Sequence, residues 1–283
     1  MTGLIMEGGA MRGLFTAGVL DVLMENGIEL DGAIGVSAGA VFGCNYQSRQ
    51  IGRTLRYNLR FCREWRYCSL RSLLLTGDLY GAKFCYWTLP MELDKMDYEA
   101  YAANPHPFYV VCTDVETGEA VYKLCPQADG EYRDWFRASA SMPLASRVVE
   151  IGGRKLLDGG IVDSVPIRYF ESIGYDRNVV ILTQPEGFVK TASRGLPLLK
   201  ALLRKYPKAA QAMARRHEVY NETIAYIAQR ENAGDAFVIR PPKDLDMSRT
   251  EHDPVKLASA YNTGREEAER RLEELKTFLT EKK

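Results

Sequence analysis

The sequence predicts an α/β domain of three layers, with helices on both faces of a mostly parallel central sheet, followed by a helical C-terminal elaboration. Two short apolar runs, residues 2–7 and 32–36, each pass through a glycine-bearing turn straight into a helical pattern, the unit from which parallel sheets are built. A chain of 283 residues with 46% hydrophobic content can bury a full core as one large domain with an elaborated end. Beyond Gln184-Pro185 the composition becomes more helical and basic. The chain therefore divides into a core, 1–187, and a basic amphipathic helical region, 188–283, which returns one strand to the sheet near 236–240.

The first strand runs into Gly8-Gly9-Ala10-Met11-Arg12-Gly13, and the helix after it is marked by Phe15, Val19, Val22 and Leu23 at helical spacing and by a stop at Asn26-Gly27. A glycine-rich turn at a helix N-terminus offers unpaired N–H groups and the positive end of the helix dipole, so it holds an anion. That anion is a nucleotide phosphate or the oxyanion of an acyl intermediate. Ala10 stands where the dinucleotide pattern needs its second glycine, and no Gly-x-x-x-x-Gly-Lys-Ser/Thr occurs, which disfavours the nucleotide.

The second strand enters Gly35-Val36-Ser37-Ala38-Gly39, the Gly-x-Ser-x-Gly of a nucleophile elbow. Glycines two residues either side let chains pass closely while the turn pushes the Ser37 hydroxyl clear of the backbone. A hairpin follows later, with strands over 148–151 and 154–157 about the turn Gly152-Gly153. It delivers Asp158 at a strand end, before Gly159 and Gly160. An isolated Asp-Gly is ordinarily a turn.

In this order the three elements resemble the patatin-like phospholipase family, and in particular its bacterial intracellular members. The resemblance covers residues 3–185 and includes Thr113-Asp114-Val115-Glu116-Thr117-Gly118 and Ala138-Ser139-Ala140-Ser141-Met142-Pro143. It implies a patatin-like fold and a lipid acyl hydrolase in which Ser37 is the nucleophile, Asp158 its catalytic partner and residues Gly8 to Gly13 the oxyanion hole. One departure is Ala10 in place of the family's usual third glycine; if that position needs positive φ, alanine costs about 1–2 kcal/mol. The implied chemistry has Asp158 accept the Ser37 proton while Ser37 attacks an ester carbonyl, and water then releases the acyl-enzyme. A carboxylate of ordinary pKa is a poor base for a hydroxyl, so the site must desolvate it and stabilise the oxyanion strongly. The same nucleophile and oxyanion hole would serve an acyltransferase, and the same cleft a catalytically weak protein that binds lipid or a partner.

Only His106, His217 and His252 could complete a Ser-His-Asp triad, and none lies in a context that marks a base. The elbow also comes too early for an α/β-hydrolase, immediately after the first strand–helix unit. Six cysteines, scattered without Cys-x-x-Cys, read as reduced thiols, and no metal or cofactor is implied. Met1 leads directly into the first strand without a signal peptide, and no apolar run spans a bilayer, so a cytoplasmic location is expected.

Formal net charge is zero, so bulk electrostatics select no partner. Locally, residues 49–71 carry seven arginines against Glu64 alone, spaced as one basic stripe on a helix, and 190–216 is a second basic stretch with interleaved leucines. Both fit peripheral contact with an anionic membrane surface, or helices packed on the core with solvated charges. No nucleic-acid motif accompanies the charge. Residues 188–234 are candidates for a lid or membrane-facing cap, and 254–283 for one charged helix with Leu272, Leu275 and Leu279 on one side. The sequence leaves oligomeric state open.

Overall fold

The computed structural model describes residues 1–193 and 195–281; Arg194, Lys282 and Lys283, which fall in the predicted basic stretch and the last predicted helix, lie outside the described residues, as does the side chain of Leu202. The strands are β1 (Thr2–Met6), β2 (Gly32–Val36), β3 (Phe108–Asp114), β4 (Ala120–Leu124), β5 (Val149–Ile151), β6 (Arg154–Asp158), β7 (Arg177–Ile181) and β8 (Ala236–Ile239). The helices are α1 (Gly13–Glu25), α2 (Ala38–Gln47), α3 (Arg53–Phe61), α4 (Leu70–Thr76), α5 (Tyr98–Ala103), α6 (Tyr132–Ser139), α7 (Ile167–Ser172), α8 (Leu196–Leu202), α9 (Pro207–Asn232), α10 (Pro254–Arg270) and α11 (Leu272–Thr280). A π-type turn of helix containing Pro90 spans Phe84–Leu93.

All eight strands form one sheet, ordered β5-β6-β3-β2-β1-β7-β8 with β4 against β3. The five from β3 to β8 run parallel, and β4, β5 and β6 add antiparallel pairs. Alternate residues of β1 serve opposite faces, as the period of two requires: Leu4 and Met6 pack with Phe15, Val19 and Leu23 of α1, while Ile5 packs with Ile167 and Phe170 of α7 and Tyr220 and Ile227 of α9. The expected three layers are therefore present. Helix α1 is buried nearly all round because α10 covers its outer side. The two helices cross so closely that a Cβ at Gly18 would lie 2.1 Å from Tyr261 O, and one at Gly264 2.0 Å from Phe15 O.

Two expected helices are corrected. Residues 49–71 are not one helix: α3 ends at Phe61, the chain turns to bury Tyr67, whose hydroxyl donates to Asn58 Oδ1 (2.7 Å), and Ser69 caps a new helix, α4. Nor is the basic stripe free, since Arg53 is buried against Asn45 and Asp94, Arg56 also pairs with Asp94, Arg49 with Glu29 and Arg66 with Glu64. The predicted helix over 254–283 breaks at Arg271 into α10 and α11. Within 188–234, α9 lies on the sheet through Tyr220 and Ile227 as part of a packed layer, and Leu199 of α8 and Leu203 just beyond its end join a cluster with Leu157 and Ile161.

Candidate active site

Ser37 stands at the sharpest point of the chain between β2 and α2, with φ +55° and ψ −121°. A non-glycine residue there carries strain of order 1–3 kcal/mol, which only a well-determined surrounding structure sustains. Behind it α2 starts so close to β1 that a Cβ at Gly39 would lie 2.3 Å from Met6 O. The Ser37 N–H donates to Ser139 Oγ (2.9 Å), and the Ser139 hydroxyl donates to Val111 O (2.7 Å), tying the elbow to β3 through a fully buried side chain.

Strand β3 brings Asp158 to this point. Its residue Val111 pairs with Val36 of β2, and the next residue, Cys112, pairs with Asp158 of β6. Where β2 leaves the sheet to become the elbow, β6 takes up the same edge of β3, so the residue after Val36 and the last residue of β6 meet. Asp158 donates its N–H to Ser141 O (2.9 Å), its carbonyl accepts from Thr113 Oγ1 (2.8 Å), and its Oδ1 accepts from the Gly160 N–H (2.7 Å). Its Oδ2 is buried with no hydrogen-bond partner. Burial pushes the carboxyl up to about 6, against the opposing pull of the Ser37 hydroxyl, the Gly160 N–H, Arg216 and Lys190. The Ser37 hydroxyl is thus near enough to favour the charged form without closing a hydrogen bond on Oδ2.

The glycine turn bends at Ala10, where φ is +49°, the conformation that makes alanine costly. A 3₁₀ turn covers Ala10–Arg12, and its first bond runs from the Arg12 N–H to Gly9 O (3.2 Å). The N–H groups of Gly9, Ala10 and Met11 precede that bond and have no acceptor within the turn. The buried Glu7 anchors the start of this turn to the end of β7 by accepting from Thr183 N (2.5 Å) and Thr183 Oγ1 (3.1 Å).

A cavity of about 460 Å³ opens onto Ser37, Ala10 and Met11, with walls that include Phe42, Tyr57, Leu79, Leu89 and Phe136. Its exposed lining is mostly apolar, with a few polar side chains among it, the form of a small-molecule site. No histidine figures among the groups that set the charge of Asp158; His106 faces Glu29 and His252 faces the Cys62 carbonyl. Among the described residues no group of His, Cys, Asp and Glu is placed to hold a metal ion, and all six cysteines are free.

The fold brings Ser37, Asp158 and residues 8–13 together, and the two further stretches acquire roles, Thr113 holding the Asp158 carbonyl and Ser139 the Ser37 N–H. Sequence reasoning missed Glu7 and Thr183, and it treated Lys190 and Arg216 as surface charge. Arg216 donates to Gly160 O, directly behind Asp158.

Residues 4–171 match the family model described as Patatin-like phospholipase, and residues 206–280 match one described as a domain of unknown function (DUF6363). Among similar proteins, the uncharacterized protein YjjU of Escherichia coli K12 is 27% identical over 250 residues, covering 86% of this chain and 69% of that one. Lysophospholipase NTE1 of Chaetomium globosum is 25% identical over 186 residues, 62% of this chain, so the match spans about a tenth (11%) of that protein's length. The crystal structure of VipD from Legionella pneumophila aligns with a TM-score of 0.48 at 14% identity, over 96% of this chain and 67% of that one.

Proposed function

This chain belongs to the patatin-like phospholipase family, and we propose that it is a serine lipid acyl hydrolase working through Ser37 and Asp158. The observation that carries this reading is the register of β3, which brings the buried, unpaired Asp158 Oδ2 to a strained serine that lines an apolar cavity. In the reaction the Ser37 oxygen attacks the ester carbonyl carbon as its proton passes to Asp158 Oδ2. The carbonyl oxygen, now negative, is held by the N–H groups of Gly9, Ala10 and Met11. Collapse expels the alcohol, which takes the proton from Asp158 and leaves the acyl group on Ser37; water then repeats the sequence and releases the fatty acid. The apolar cavity accommodates the acyl chain.

The proposed contact with an anionic membrane surface centres on α4. Leu70, Leu74 and Leu75 are 72%, 85% and 65% exposed, and Leu70 and Leu73 also line the cavity. The exposed Arg71 lies among them on the same helix. Leucines beside a cationic side chain at a pocket mouth suit an enzyme that draws its substrate from a lipid surface.

Intact-mass spectrometry after exposure to a fluorophosphonate tests the chemistry. One adduct on the wild type, absent from Ser37→Ala and slowed in Asp158→Ala, is the expected result. No adduct on folded wild type would overturn the hydrolase and leave a lipid-binding protein.

A further inference from the structure

Around the Ser37–Asp158 pair the chain gathers four cations from four separate parts of the sequence: Arg12, Lys190, Arg216 and Arg249. Lys190, Arg216 and Arg249 lie within electrostatic reach of one another, and Arg12 is within reach of Lys190. Among the described residues no carboxylate oxygen comes within 4.0 Å of any of the four. The carboxylates that face them are Glu7, already held by Thr183, and Asp158, whose charge burial disfavours. The cluster is held in place. Arg216 donates to Gly160 O, Lys190 is fixed at its backbone by two hydrogen bonds with the Asn221 side chain (2.9 Å each), and its Nζ sits 3.4 Å from the centre of the Tyr220 ring. The Arg12 Nε is buried without a partner, and Arg249 stands in the wall of the cavity that holds Ser37.

Like charges gathered at partly buried positions repel, and such an arrangement persists where an anion completes it. We infer that Arg12, Lys190, Arg216 and Arg249 form a binding site for a phosphate-ester anion next to Ser37, with Arg249 shared between this site and the wall of the acyl cavity. If the hydrolase reading above holds, the ligand is the phosphodiester of a glycerophospholipid whose ester lies at Ser37. Three of the four residues come from beyond the matched residues 4–171, so the C-terminal region would read the headgroup while the core cleaves the chain.

Two measurements test this. The first is thermal unfolding in inorganic phosphate against chloride at equal ionic strength. The wild type should gain stability in phosphate and Lys190→Gln should lose most of that gain; a wild type indifferent to phosphate overturns the site whether or not the protein is an enzyme. The second compares kcat/KM for phosphatidylglycerol and for diacylglycerol of the same chains in neutral detergent micelles. A charge-assisted contact predicts that Lys190→Gln lowers the phospholipid-to-diacylglycerol ratio roughly ten- to a hundredfold. Phosphate stabilisation with an unaltered ratio would assign the site to a free phosphate compound; loss of both assigns it to the headgroup. Absence of fluorophosphonate labelling would remove the hydrolase and leave the phosphate measurement standing.

Discussion

Asp158→Asn should stabilise the protein while abolishing turnover. The wild-type carboxyl is fully buried, and its pKa rises from 3.8 to about 6 even with Ser37, Gly160, Arg216 and Lys190 favouring the charge. An acid whose folded pKa is raised binds its proton more tightly in the folded state. Stability therefore falls as pH climbs between the two values, and above about 6 the full cost is present, of order 3 kcal/mol. The amide keeps an oxygen for the Gly160 N–H, and Ser37 Oγ can accept from its NH₂ group, so the substitution removes the charge with little new desolvation. For 283 residues the unfolding entropy is about 0.6 kcal/mol/K, which makes the gain up to about 5 °C in Tm. Calorimetry of wild type and Asp158→Asn at pH 7.5 and at pH 4 measures it. The gain should be present at the higher pH and nearly absent at the lower. A variant less stable at pH 7.5, or a gain independent of pH, refutes the reasoning.

The remaining outcomes rest on single features. Because Asp158 must be ionised to accept the proton, kcat/KM should fall about tenfold for each pH unit below about 6; an acid limb near 4 would show that the base is not this buried carboxyl. Ala10→Gly relieves φ +49° at the expense of a more flexible unfolded chain, a net gain of about 0.5–1 kcal/mol, and a lower Tm would show that the conformation is not strained. Leu74→Asp combined with Leu75→Asp should depress hydrolysis of anionic vesicles at least tenfold while sparing a soluble short-chain ester; equal rates on vesicles would remove α4 from the membrane contact.

Much of this site was legible because its parts are short-range signals. An elbow needs glycine at fixed positions around Ser37, and a two-glycine hairpin announces where Asp158 leaves its strand. The convergence of the two was not legible, since it depends on β6 replacing β2 along β3, which takes two long-range pairings, Val36 with Val111 and Cys112 with Asp158. Charge was misread for a related reason. The arginine stripe of 49–71 looked solvated, yet Arg53 and Arg56 meet Asp94, 41 and 38 residues away, and Arg216 reaches back to Gly160. Helical spacing tells which residues share a face; it does not tell what that face meets.

The same long-range packing bears on whether the C-terminal region can be removed. Strand β8 pairs with β7 at the sheet edge, α9 buries Tyr220 and Ile227 against Ile5, Val36 and Val180, and α10 buries Leu257 and Tyr261 against α1 and its neighbours. Exposing Val238, Ile239 and the four helical side chains alone forfeits about 9–18 kcal/mol at ~1.5–3 kcal/mol for each buried side chain. That matches or exceeds the total stability of an ordinary domain, about 5–15 kcal/mol. A chain ending at residue 187 would also leave β7 as an unpaired edge strand, Val179 and Ile181 among its residues, a template for aggregation. We expect residues 1–187 to be insoluble or to lack a cooperative unfolding transition, despite containing Ser37, Asp158 and the whole glycine turn. A soluble 1–187 fragment with a sharp transition and fluorophosphonate labelling at the full-length rate would show that the C-terminal region is dispensable to the fold, and would confine its contribution to the anion site.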